Sequence, residues 1–155
     1  MSLYQLYRKQ QLPIGIDEAW EFFSNPENLK EITPKHMGFE IVSCDYKSIY
    51  AGQIIQYIVY PIPGIKTKWV TEITHVKDKY YFVDEQRFGP YALWHHKHFI
   101  KPIEGGVEME DLIDYKIPLG IIGRMIHPIL VKPRLEHIFN FRYNKLESIF
   151  GKYTL

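Results

Sequence analysis

Polar and apolar residues along this 155-residue chain change their spacing twice, from a short strand-like run to helical turns and then to a long succession of β-rich segments. Leu3 to Leu12 mixes aliphatic and aromatic residues with polar ones and stops at Pro13, which predicts a first strand. Asp17 is placed to cap a helix over Glu18 to Phe23. Asn25 with Pro26 predicts a second short helix to about Ile32, because asparagine caps and proline sits where no N–H is needed. From Phe39 onward the segments Phe39 to Tyr46, Gln53 to Tyr60, Lys66 to Val76, Tyr80 to Phe88, Tyr91 to Lys101 and Val107 to Ile117 read as strands. Short punctuators separate most of them: Ala51-Gly52, Pro61 to Gly64, Asp78, Gly89-Pro90 and Gly105-Gly106. Such turns imply consecutive hairpins and an antiparallel meander.

The tail is helical. Leu119 to Leu130 is apolar but interrupted, whereas after Pro133 the residues Leu135, Ile138, Phe139, Leu146, Ile149 and Phe150 recur at helical spacing. The predicted architecture is α+β: a curved antiparallel sheet of about seven strands, two short helices after the first strand, and a long C-terminal helix packed across the sheet.

Composition adds limits to this outline. A chain of this length suits one domain, taken as 1–155, and its 46% apolar and 24% charged residues are ordinary. The aromatic share of 15%, with 12 tyrosines, is high and supplies large contact surfaces. A net charge of +1 gives no basic stripe for nucleic acid. No apolar run is long enough to predict a membrane span, since Ile117 to Val131 is broken by Gly120, Gly123, His127 and Pro128. The single Cys44 and the lack of an apolar leader in Met1 to Gln10 point to a reducing cytoplasm. No cofactor is implied.

The candidate chemistry follows from the pleat. In Val107 to Ile117 the odd positions Val107, Met109, Ile113, Tyr115 and Ile117 are apolar apart from Asp111, so the odd face is predicted to point inward. Closing the preceding hairpin pairs Pro102 with Val107 and sets His98 against Asp111, His96 against Ile113 and Trp94 against Tyr115. Trp94, His96 and His98 are therefore inward as well, and His95 is outward. An apolar face carrying two histidines and an aspartate needs a reason, because such groups are costly to bury unpartnered. Three readings are open. His98 and Asp111 form a structural cross-strand pair; or His96 and His98 hold the polar end of an apolar ligand while Asp111 fixes the tautomer; or His96, His98 and Asp111 are a two-histidine, one-carboxylate metal site. Trp69, with Thr71 and Ile73, adds an aromatic wall or core packing against the long helix. Arg142 interrupts the helical stripe, either snorkelling to solvent or facing inward toward Asp111, Glu85 or a ligand carboxylate.

The element order and the run Ile16-Asp17-Glu18-Ala19-Trp20-Glu21-Phe22-Phe23-Ser24-Asn25-Pro26-Glu27-Asn28-Leu29 closely resemble the START-like (SRPBCC) superfamily of polyketide cyclases, lipid-transfer domains and birch-pollen-allergen proteins. Phe88-Gly89-Pro90-Tyr91, Trp94-x-His96-x-His98, Asp111 to Tyr115 and Pro118-Leu119-Gly120 resemble a bacterial subgroup known as ligand-binding. The resemblance implies a helix-grip fold that binds a small hydrophobic molecule between sheet and helix; it licenses no reaction. The expected ligand-binding residues are Trp94, His96, His98, Asp111, Tyr115, Trp69 and Arg142. A cyclase or dehydratase using His96 or His98 with Asp111 as acid and base is the second function expected. A quinone-handling chaperone or protein-interaction module, with an exposed apolar patch within Ile121 to Val131, is the third.

Overall fold

Strand β1 (Tyr4–Leu12) is followed by helix α1 (Ile16–Phe23), two 3-10 turns (Pro26–Lys30 and Lys35–Met37) and six further strands: β2 (Glu40–Ser43), β3 (Ile54–Ile62), β4 (Ile65–Lys77), β5 (Tyr81–Phe88), β6 (Leu93–Ile103) and β7 (Gly106–Lys116). Helix α2 (Gly120–Ile126) runs through a π-helical turn (His127–Val131) into α3 (Lys132–Phe150). This computed structural model describes residues 2–44, 47–62 and 64–154. Tyr46, the expected end of the second strand, and Pro63 of the expected turn lie outside the described residues.

The sheet order is β1-β7-β6-β5-β4-β3-β2 with antiparallel pairing throughout. Each strand from β2 to β7 pairs with its sequence neighbour, as the short turns predict, and β1 closes the array against β7 with Tyr4 opposite Tyr115 and Leu12 opposite Val107. Register shifts interrupt β2 between Ile41 and Ser43, β3 between Val59 and Ile62, and β4 at Val70/Thr71 and Ile73/His75. Bulges of this kind bend a strand and deepen its twist, so one face of the sheet turns concave.

Helix α3 lies on that face. Leu135, Phe139 and Leu146 are its buried residues, and Gln10 of β1 anchors it by donating from Nε2 to the Tyr143 carbonyl at 2.9 Å. Helix α1 buries Ala19 and Trp20, the indole standing edge-on to Phe82 at 6.1 Å. The outer face of the sheet is a ladder of charges: Lys9 with Glu108, Lys97 with Asp114, Lys101 with Glu110 and Arg87 with Glu72.

Two local expectations are corrected. The residue before α1 is Gly15, which offers no side-chain cap; Asp17 sits inside the first turn and pairs with Lys79 Nζ at 2.7 Å. An acidic residue there is favoured by the helix dipole whether or not it caps. The second short helix ends at Lys30 as a 3-10 turn, although Asn25 caps it as expected by accepting from the Glu27 N–H. Thr33 precedes Pro34, which disfavours helical backbone at Thr33, and the Thr33 hydroxyl donates to the Leu29 carbonyl at 2.6 Å.

Gly106 opens β7 where the β6–β7 turn passes the end of β1, and a Cβ there would collide with the Leu12 carbonyl. Because that obstacle is backbone in a paired strand, it has little room to yield. Gly106→Ala is expected to lower stability by about 1–3 kcal/mol in urea unfolding.

Candidate functional site

Three adjacent strands and one helix bring titratable side chains together on the concave face. The β6–β7 register sets His98 opposite Asp111, His96 opposite Ile113 and Trp94 opposite Tyr115, and the β5–β6 register sets Asp84 opposite His96. The two imidazoles lie against each other with ring centroids 3.6 Å apart and planes tilted by 34°, and the two carboxylates bracket the pair. Asp111 Oδ1 lies 2.8 Å from His96 Nε2 and 3.0 Å from His98 Nδ1; Asp84 Oδ2 lies 2.7 Å from His98 Nε2 and 3.5 Å from His96 Nδ1. All four imidazole nitrogens therefore face carboxylate oxygen, in a closed four-residue ring. Phe82 covers the other face of His98, stacked at 4.1 Å.

Arg142 completes the cluster from above. It occupies the same stripe of α3 as Leu135, Phe139 and Leu146, spaced four, three and four residues apart, so it points where a core residue would. Its side chain is 12% exposed, its Nη1 is 4.0 Å from Asp111 Oδ1, and its guanidinium carbon lies 4.7 Å above the Phe139 ring. Arg142 faces inward and does not snorkel. Among the described residues its buried Nε has no hydrogen-bond partner.

The electrostatics follow from burial and from this geometry. Burial pushes the His96 pKa down and the charge of His98 adds to the effect, outweighing the hydrogen bond with Asp111. Burial also acts against protonated His98, yet its bonds to Asp111 and Asp84 prevail and raise its pKa. For both aspartates burial favours the neutral acid, but the histidine hydrogen bonds and charges win, holding Asp84 below and Asp111 well below the ordinary carboxylate value. Burial lowers the Arg142 pKa against the attraction of Asp111 and Asp84, and a guanidinium stays protonated regardless. Between the lowered pKa of His96 and the raised pKa of His98 the cluster holds two carboxylates, one imidazolium, one neutral imidazole and one guanidinium. Its charges cancel.

A cavity of about 260 Å³ lies between this cluster and α3. Phe22, Phe23, Leu29, Ile55, Tyr57, Trp69, Ile73, Tyr91, Trp94, Leu135, Ile138 and Phe139 give it mostly apolar walls, and Asp84, His96, His98, Asp111 and Arg142 supply a charged patch. Trp69, Tyr91 and Trp94 form one aromatic wall, with Trp69 edge-on to Trp94 at 5.3 Å and its Nε1–H donating to the Thr71 hydroxyl.

Six of the seven residues singled out from sequence line this cavity; Tyr115 does not. It is buried on the same face nearer the helix junction, where its hydroxyl meets His127 Nε2 at 2.8 Å and Tyr4 stacks on His127 at 3.6 Å. His95 is on the outer face, bonded to Glu85 at 2.8 Å, so Glu85 is out of Arg142's reach and Asp84 takes its place in the cluster. Asp84 was the missed residue. Extending the hairpin register one strand further, from His96 to Tyr81–Phe88, would have placed it.

Asp84, His96 and His98 also each present one ligand atom within 4.8 Å of the others, close enough for a metal ion. Coordination would require His98 to give up its proton and the histidine nitrogens to exchange their carboxylate contacts for the ion.

No family model and no curated protein matches the chain. Solved structures do match its fold. A START superfamily protein from Mycobacterium smegmatis superposes with a TM-score of 0.67 at 15% identity, covering 94% of this chain and 98% of that one. TTHA0849 from Thermus thermophilus gives 0.65 at 11% identity over 94% and 99%. Ara h 8.0201 gives 0.57 at 15% identity over 95% and 99%.

The bracketed pair yields a pH prediction. His98 has a raised folded-state pKa, so its contribution to stability is full below its unfolded value of about 6.5 and is lost as pH rises through the raised value. Imidazole resonances followed by NMR are expected to titrate above that value for His98 and below it for His96. Asp84→Asn is expected to cost about 3–5 kcal/mol at pH 6, as for one partner removed from a buried charge pair, and less at pH 9. An equal cost at both pH values would mean that His98 is not the charged partner.

Proposed function

On a START-like helix-grip fold, we propose that this protein binds a small, mostly apolar molecule between the sheet and α3, with a hydrogen-bond acceptor at its polar end resting on Arg142. The observation that carries this reading is the buried guanidinium Nε, which has no hydrogen-bond partner among the described residues. The histidine nitrogens are committed to Asp84 and Asp111, so within the charged patch Arg142, which lines the cavity, carries the unpartnered donor. A buried donor without an acceptor costs on the order of 1–3 kcal/mol, and a ligand carbonyl or carboxylate relieves that cost. In this reading Trp69, Tyr91 and Trp94 pack against an aromatic or aliphatic body, while the bracketed imidazole pair keeps the patch rigid.

Binding is favoured over acid–base catalysis because a general base needs a nitrogen turned toward the substrate, and both imidazoles here are turned toward carboxylates. The structural-pair reading of His98 and Asp111 and the ligand reading are complementary: the ring holds itself together and so holds the floor of the site.

Three probes of one size separate these contributions: naphthalene, 2-naphthamide and 2-naphthoate, titrated by tryptophan fluorescence. The two that carry an acceptor are expected to bind at least tenfold more tightly than naphthalene, and Arg142→Met is expected to erase the difference. Equal affinities for all three in the unmutated protein would sink the assignment of Arg142.

A further inference from the structure

Helix α2 is amphipathic the wrong way round for a helix packed on a protein core. It is seated by Gly123, whose missing Cβ lets the helix rest on the Pro118 carbonyl, and by His127 just beyond its end. The aliphatic residues point outward: Leu119, Ile121, Ile122, Met125 and Ile129 are between 63% and 80% exposed. A single exposed leucine is ordinary, but five large aliphatic side chains within eleven residues form a contiguous patch, and such patches mark contact surfaces. Leu119 is moreover held at φ 69°, a conformation that costs a leucine energy and returns no burial within the chain.

The charges around the patch select its partner. Lys116, Arg124, Lys132 and Arg134 fall in the stretch from Tyr115 to Leu135, which contains no aspartate or glutamate. A second copy of the chain meeting this patch across a two-fold axis would set these four cations against their own counterparts. The flanking acids are Glu136, at the edge of the stretch, and Asp114, already held by Lys97, which leaves an excess of positive charge that opposes self-association. An anionic lipid surface answers both features at once, since aliphatic side chains enter the headgroup boundary while flanking lysine and arginine remain among the phosphates.

We propose that α2 and the π-helical turn after it dock the protein onto anionic lipid bilayers. The docked segment leads directly into the part of α3 that carries Leu135 and Ile138 of the cavity wall, so docking brings the cavity close to the lipid surface. This inference is independent of what the cavity holds.

Cosedimentation with vesicles tests it, using phosphatidylcholine alone and phosphatidylcholine with phosphatidylglycerol at about 3:1. The unmutated protein is expected to pellet with the anionic vesicles at least tenfold more strongly than with the neutral ones, and to be released by high salt. Ile122→Ser/Ile129→Ser and Arg124→Ala/Lys132→Ala are each expected to weaken pelleting roughly tenfold or more. Both pairs replace exposed side chains, and an unchanged thermal midpoint and unchanged 2-naphthoate affinity will show that each variant is folded. Failure to pellet, pelleting by the variants equal to that of the unmutated protein, or a dimer in sedimentation equilibrium that the isoleucine variant abolishes would overturn the proposal. Loss of naphthoate binding to the unmutated protein would instead strike only the cavity reading.

Discussion

Charge balance in a place that water barely reaches is the constraint on which the rest of this structure depends. Two aspartates, two histidines and an arginine, none more than 17% exposed at the side chain, sit on the concave face of a sheet whose other inward residues are largely apolar. Isolated, any of these charges would be too costly to bury. Together they cancel, and each histidine nitrogen faces an acceptor. The arrangement works only as a set, because removing one member leaves its partners with an uncompensated charge.

That set fixes more than its own atoms. Asp84, the two histidines and Asp111 come from three neighbouring strands, so their contacts agree with a single register across β5, β6 and β7. A slip of one residue in any of these strands would turn that strand's members of the set to the other face and leave their partners without counter-charge. Arg142 imposes a similar condition on α3, whose rotation about its axis must put the guanidinium over Asp111 while Leu135, Phe139 and Leu146 keep their apolar contacts. Polar specificity and apolar packing thus select the same geometry, one by direction and the other by area.

The strand pattern was legible because alternation and turn residues are local signals. His98 opposite Asp111 and Trp94 opposite Tyr115 could be read from one hairpin closure, and the sheet keeps that register. Asp84 escaped because its role depends on a second hairpin, and its neighbour Glu85 is an equally plausible acid until the face is fixed. Arg142 was ambiguous for a different reason: a long side chain at a core position of a helix can bend outward or stay in, and only the buried carboxylates decide between these. The shortened second helix reflects Pro34, a weak signal two residues beyond Ile32. The cap at Asp17 failed because a helix start is decided within one or two residues, finer than periodicity resolves.

The junction of Tyr4, Tyr115 and His127 has a consequence for the way the chain assembles. Strands β3 to β7 are joined by short turns and can zip together in order, each step closing a small loop. The first strand cannot join that process until the seventh exists, because its sheet neighbour among the described residues lies as far along the chain as Tyr4 is from Tyr115. Nor is it secured until the segment carrying His127 arrives to stack on Tyr4. On a ribosome β1 is made before strands β2 to β7 and yet would be among the last to find its place, waiting unpaired until β7 has emerged.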